Sequence, residues 1–255
     1  VVDDDGFVYV ADMRNGRIQK FESDGTFVTE FGSFPSGQWE RVIAVAVDNN
    51  SNEVFAGDNN NQKVQVFSTD GTFLREWGIP DPHIPSGLAV DAQSNVFVSS
   101  EPSRWILKYT SAGALLTSWE TVGMLPMGMN VNESGDLYVA VYVGVAKYSS
   151  SGQFIAQYGQ PGSGDGQFED AYCVALDADD SMIVSDGWRQ DRVQKLRSDG
   201  LYLSQWHVSG AVGVAVGPAG AIYVGHRNEI LRYEYTTPVH AESWGAVKSR
   251  YREAP

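Results

Sequence analysis

Residues 8–32 read VYVADMRNGRIQKFESDGTFVTEFG, and this stretch decides the fold. VYVAD, RIQKF and TFVTEF are short runs rich in β-branched and aromatic residues, each bounded by turn formers, which is the pattern of strands. Asp24-Gly25 between the last two runs predicts a hairpin, because Gly supplies the positive φ that a tight turn needs. Residues 54–78, VFAGDNNNQKVQVFSTDGTFLREWG, repeat the pattern closely, and IVSDGWRQDRVQKLRSDG does so again at 183–200.

Working outward, four anchors recur six times. The first ends an apolar run at Asp3, Asp48, Asp91, Asn132, Asp177 and Gly217, with successive differences of 45, 43, 41, 45 and 40 residues. The second closes a β-type run at Asp12, Asp58, Ser100, Val141, Asp186 and His226. The third is Phe21, Phe67, Tyr109, Tyr148, Leu196 and Tyr233, and the fourth Phe31, Trp77, Trp119, Tyr158, Trp206 and Trp244. A period of this length marks a repeat architecture. No segment of the repeats carries the apolar period of an amphipathic helix. Four antiparallel strands repeated six times predict an all-β, six-bladed β-propeller of four-stranded blades, whose radial closure leaves only short edges. A β-solenoid, the competing repeat fold, uses shorter repeats and parallel coils.

The motifs at 8–32, 54–78 and 183–200 resemble the NHL repeat, and the resemblance extends, with degenerate third, fourth and sixth units, over nearly the whole chain. It implies a six-bladed ring and says little about activity, since one fold hosts many functions. Residues 1–245 are predicted to form one propeller, with blades near 1–41, 42–84, 85–126, 127–171, 172–210 and 211–245. Residues 246–255 form a C-terminal tail, in which Val247 and Tyr251 could share one helical stripe; alternatively Trp244 ends the outer strand and the tail frays. The sequence opens in mid-repeat, so the first blade is expected to lack a full inner strand. Another chain could complete it, allowing self-assembly, and residues restored before Val1 are expected to raise the melting temperature.

Eighteen basic against 32 acidic residues give a net charge of −14. That balance disfavours nucleic acid, which binds through Lys and Arg, and departs from the NHL propellers that hold RNA on a basic face. No apolar run approaches the ~18 residues of a membrane span. Cys173, the lone cysteine, falls on a first strand and reads as a small buried residue. Few Lys and many Gly, Ser, Thr and Asn point to an extracellular or periplasmic bacterial setting.

Antiparallel topology sends the loops after second and fourth strands to one face of the disc. There they are long and varied, as at 33–41, 79–86, 160–171 and 187–191, and variable loops on a rigid scaffold are where binding occurs. That face collects aromatics outside the anchors, Trp39, Trp105, Tyr142, Phe168 and Trp188, interleaved with Arg14, Arg104, Arg189 and Arg227. Exposed Trp, Tyr and Arg are hot-spot residues, and aromatics beside polar groups suit sugar rings. These residues predict a non-enzymatic module that recognises a protein or glycan. The recurring Asp12, Asp58 and Asp186 are expected to accept hydrogen bonds from their own loops and from Arg17, Lys63 and Arg192.

The alternative is a propeller lyase or hydrolase with a His-based or metal site near the axis. Its candidates are His83, His207 and His226, with His207 and His226 on adjacent blades. Peptidylglycine amidating lyases, which resemble NHL propellers, hold zinc through a His after the Pro opening a blade. Here Pro85-Ser86-Gly87 and Pro126-Met127-Gly128 carry none, and zinc needs three or four converging ligands. No cofactor is expected, with calcium at Asp3-Asp4-Asp5, Asp48-Asn49-Asn50 or Asp177-Ala178-Asp179-Asp180 the one alternative; these strings also predict an acidic ring on the short-loop face.

Overall fold

β-rich repeats with no helical period fold here into consecutive antiparallel sheets. The computed structural model describes residues 1–32, 41–121, 124–226, 229–234 and 250–251. The first sheet holds β1 (Val8–Asp12), β2 (Arg17–Phe21) and β3 (Phe27–Phe31). The second holds β4 (Val42–Asp48), β5 (Glu53–Asp58), β6 (Lys63–Ser68) and β7 (Phe73–Gly78). The third holds β8 (Gly87–Val90), β9 (Val96–Ser100), β10 (Trp105–Tyr109) and β11 (Leu115–Glu120). β12 (Pro126–Val131), β13 (Leu137–Val141), β14 (Gly144–Tyr148) and β15 (Phe154–Tyr158) form the fourth. A small parallel pair, β16 (Gln160–Pro161) and β17 (Gln167–Phe168), lies in the connection to the fifth. The fifth has β18 (Cys173–Leu176), β19 (Met182–Asp186), β20 (Arg192–Leu196) and β21 (Tyr202–His207). The sixth has β22 (Ala211–Val216), β23 (Ile222–His226), β24 (Glu229–Tyr233) and β25 (Arg250–Tyr251).

The first sheet has three named strands, as the expected incomplete inner strand implies, whereas the sixth differs from the helical reading of the tail. On the inner edge of β1, Val2 bridges Val8 and Val1 exchanges backbone hydrogen bonds with Tyr9, where the other sheets have a longer strand. In the sixth sheet Arg250–Tyr251 pairs with Ile230 and Leu231, so Tyr251 lies in the outer strand and not on a helix. The exposed edge of β24 offers N–H and C=O groups that an extended segment satisfies and a helix does not. Trp244 and Val247 lie outside the described residues.

The core sits between sheets, not within one. Each apolar cluster joins neighbours: Phe55 and Val64 with Leu88 and Tyr109, Phe97 with Leu137 and Tyr148, Tyr138 and Phe168 with Met182, and Ile183 with Val224 and Tyr233. Ile18 and Phe31 pack with Val54 and Phe67, and Val8 and Phe21 pack with Ala221 and Tyr223, which joins the last sheet to the first and closes the ring. The Tyr223 hydroxyl donates to the Ser23 carbonyl across that closure (3.4 Å).

The fourth-strand aromatic of one sheet stacks on the third-strand aromatic of the next: Phe31 on Phe67 (5.3 Å between ring centres), Trp77 on Tyr109 (5.9 Å), Trp119 on Tyr148 (6.1 Å) and Trp206 on Tyr233 (5.8 Å). The hairpin glycine of the next sheet covers the same ring. A Cβ at Gly71 would meet Phe31 at 2.8 Å, and one at Gly152 would meet Trp119 at 2.4 Å; both have φ near +90°. The glycines read as turn formers are therefore required twice, once for φ and once for the absence of a side chain.

Cations in the third strand tie the sheets further. Lys108 pairs with the buried Asp91 (3.1 Å) and reaches the Ser150 carbonyl of the next sheet, and Lys20 reaches the Thr69 carbonyl. In the second sheet Val66 stands in the lysine's place, and Arg75 takes over, forking onto Glu53 (2.6 and 2.7 Å) and donating to the Ser111 carbonyl.

Candidate functional site

A cavity of about 1520 Å³ runs along the axis of the ring. One mouth is formed by loops after second strands, which contribute Arg14, Asn60, Trp188 and Asp191, and by residues just before first strands, Arg41, Ser86, Tyr172 and Ser209. Hydrophobic residues such as Val47, Val90, Val131 and Val216 line the cavity toward the opposite face. The two sets of loops share a mouth because an antiparallel meander returns the chain to the same face after every second strand.

Trp188 dominates this mouth, with 69% of its surface exposed, the highest among the large exposed hydrophobics of the described residues. Tyr142, on the adjacent blade, is 42% exposed, and its carbonyl accepts the Ala171 N–H. Arg104 and Arg189 are exposed on loops of the same face. Arg104 adopts φ of +64°, held by its own N–H to the Ser100 carbonyl and by its carbonyl, which accepts from the Thr121 N–H and hydroxyl.

One predicted binding aromatic is corrected. Phe168 is fully buried, packed with Tyr138, Val145 and Ala171, because β17 folds the long 159–172 connection back beneath itself. Trp105 is half-buried against the cluster between the second and third sheets, with the His83 ring 5.7 Å away, so it serves as a local core for its own loops. Trp39 and Arg227 lie outside the described residues.

The loop carrying Trp188 is fixed from below by an ion pair. Asp186, fully buried, accepts two bonds from Arg192 (3.2 and 3.1 Å) and the N–H groups of Glu169 and Asp170. Arg192 also donates to the Ser163 and Gln167 carbonyls (2.8 and 2.7 Å) and to Gln205. Asp12 likewise takes Arg17 and Asn15, and Asp58 takes Asn61, so these recurring carboxylates organise loops. Lys63 pairs with Glu76 on its own hairpin (2.6 Å).

Arg14, Arg41, Arg104 and Arg189 share one property. Among the described residues none of them forms an ion pair or side-chain hydrogen bond, whereas Arg17, Lys63, Arg75, Lys108, Lys147, Arg192, Lys195, Arg197 and Arg232 are all ion-paired. Lys20 lies 4.0 Å over the Phe7 ring. Arg14, Arg41, Arg104 and Arg189 all lie on the long-loop face.

The histidines stand apart. His83 is hydrogen bonded through Nδ1 to Ser103 (2.7 Å), His207 is exposed at the end of β21, and the ring nitrogens of His226 are buried. No histidine lines the cavity among the described residues, and no three His, Cys, Asp or Glu side chains there are grouped to hold a metal. Burial holds His83 below the ordinary histidine value. A lowered folded-state value means that the unfolded chain binds the proton more readily. The stability His83 contributes is thus full above about pH 6.5 and is lost as the pH falls below it. An NMR titration should find His83 deprotonating below that value, and a His83→Gln variant should show a flatter loss of stability between pH 7 and 5.

The acidic strings on the opposite face close turns. Asp48 accepts from Asn50 N–H and Ser51, Asp91 from Gln93 and Asn95, and Asp177 from Asp179, Ser181 and Lys195. The expected acidic ring is thereby partly neutralised by Lys108, Lys147 and Lys195, a pairing hidden in the sequence because the partners lie on different strands.

No family model matches the chain, and no curated protein matches its sequence. Solved structures do match. A streptogramin B lyase superposes with a TM-score of 0.70 at 16% identity, covering 91% of this chain and 77% of the lyase. A catalytically inactive virginiamycin B lyase from Staphylococcus aureus, solved with quinupristin, gives 0.69 at 16% identity over 91% and 78%. Nidogen, in its complex with laminin, gives 0.69 at 16% identity over 89% of each chain. The chain is a six-bladed β-propeller. At this identity the likeness is one of fold, and the propeller's own mouth must carry the argument about function.

Sequence reasoning missed Arg41 and Tyr172 at this mouth. Each directly precedes a first strand, yet the equivalent positions elsewhere hold Ser86 and Gly210, so no repeated residue type marks the place.

Proposed function

We propose that this propeller is a non-enzymatic binding module of the NHL type, extracellular, that recognises a protein or glycan through its long-loop face. The observation that carries the reading is Trp188, a largely exposed indole at the mouth of the axial cavity, flanked by arginines without ion pairs. An exposed aromatic beside Arg has the composition of a recognition hot spot. The reading needs no cofactor. Nidogen, a neighbour in fold, was solved with a protein partner, which is in keeping with recognition by this architecture. The lyase or hydrolase alternative has less support, because neither His207 nor His226 lines the cavity.

The test is to display the chain against arrays of extracellular proteins and glycans beside two variants. Trp188→Ala with Tyr142→Ala and Arg189→Ala is expected to lose the ligands that the parent retains. Arg197→Ala, on a hairpin of the opposite face, is expected to keep them. Equal loss in both variants, or in neither, overturns the assignment of the face.

A further inference from the structure

We infer that the mouth of the axial channel binds an acidic sugar, with a pyranose ring on Trp188 and its carboxylate on Arg14 and Arg41. This rests on the proposed recognition role and names its ligand class. Trp188, Arg14 and Arg41 line one cavity, and both arginines are exposed at its rim without an ion pair among the described residues. In a chain of net charge −14, bases left unpaired at a concave site point to an anion supplied from outside.

The placement is specific. Ala11, three residues before Arg14, packs in the cluster of Val42, which follows Arg41, so the two arginines belong to the same corner between the first and second blades. Arg41 of the second blade and Tyr172 and Trp188 of the fifth line the same cavity, and the Arg41 charge is felt at the Tyr172 phenol. The Tyr172 phenol, raised above its ordinary value by burial, is an O–H donor at neutral pH, as any tyrosine is. Asn60 and Ser209 line the same mouth and bring an amide and a hydroxyl. The same lining holds Asp12, which accepts from Arg17 and Asn15, Asp191, which accepts the Gly210 N–H, and Glu229. The aromatic platform, the guanidinium groups and the neutral hydrogen-bonding groups match a ring with an apolar C–H face, a carboxylate and several hydroxyls. An acidic peptide would supply the carboxylate without the flat face for the indole.

The experiment uses short uronate oligosaccharides (galacturonate, glucuronate and mannuronate series) and their methyl esters, which keep the ring and remove the charge. Binding is followed by calorimetry and tryptophan fluorescence. At least one uronate series should bind, its ester about tenfold or more weakly, as expected when charge-assisted bonds to a carboxylate are removed. Arg14→Gln with Arg41→Gln should bring the acid to the level of the ester and leave the ester unchanged. Trp188→Ala should weaken both, with unaltered melting temperatures excluding misfolding. Equal binding of acid and ester, or an indifferent arginine variant, overturns the inference. If no uronate binds at millimolar concentration while polyglutamate binds and depends on Trp188, the sugar assignment falls and the recognition role stands. If Trp188→Ala changes binding of no ligand that the chain retains, both fall.

Discussion

Gly152→Ala should lower the melting temperature by about 10 °C, from two costs that the structure separates. A non-glycine residue at φ of +87° costs about 1–2 kcal/mol, and forcing a methyl group into a packed ring costs about 1–3 kcal/mol more. At roughly 2–4 °C per kcal/mol for a chain of this size, the sum is the stated shift. Gly220→Ala is the control: its φ is +78°, but nothing lies within 4 Å of the added Cβ, so only the backbone cost of about 1–2 kcal/mol applies. Scanning calorimetry on both variants isolates the contact with Trp119. A Trp119→Leu change should recover part of the Gly152→Ala loss, since residues in contact couple and do not add. Equal losses at Gly152 and Gly220 would show that only the turn, and not the ring beneath it, demands glycine.

Asp186→Ala should destabilise the protein by about 3–5 kcal/mol, because it leaves the Arg192 guanidinium buried without its counter-charge. Asp186 is fully buried and the Arg192 side chain only 8% exposed, so solvent screens little of the interaction. Removing either partner also frees the 159–172 connection, whose Ser163 and Gln167 carbonyls and Glu169 and Asp170 N–H groups close on this pair. Hydrogen exchange should therefore rise at Glu169 and Asp170 before the sheets open. Arg192→Lys keeps the charge but not the planar fork that serves four acceptors at once, and should recover less than half of the loss. Lys63→Ala, which breaks an ion pair more than a third exposed on each side, should cost no more than about 1 kcal/mol. Comparable losses for Asp186 and Lys63 in chemical denaturation would refute the assignment of Asp186 as the anchor of the loop face.

The fold was legible because its determinants repeat. Phe31, Trp77 and Trp119 each meet the hairpin glycine of the next unit, Gly71, Gly113 and Gly152, and this order of anchors survives where the second-anchor Asp is lost. The face that carries the mouth was legible too, since alternation of strand direction assigns every loop to one side. What the sequence could not separate was an aromatic that meets solvent from one that folds inward. Phe168 and Trp188 sit on neighbouring loops with similar surroundings in sequence, yet Phe168 is fully buried and Trp188 is 69% exposed. The difference arises from β16 and β17, a two-residue parallel pair too short to leave a pattern.

The charges divide along the same line. Asp186 and Arg192 face each other across one hairpin, and that distance is written in the repeat. Arg14, Arg41, Tyr172 and Trp188 come from the first, second and fifth blades, and no local spacing relates them. The sequence alone determines the number of blades, their strand order and the ring contacts between neighbours, because each depends on anchors that recur in the same order in every unit. Only the tertiary structure decides which arginines are left without partners and which aromatic stands at the mouth. Those properties depend on ring closure, which brings residues more than a hundred positions apart to one rim and leaves their burial to the loops around them.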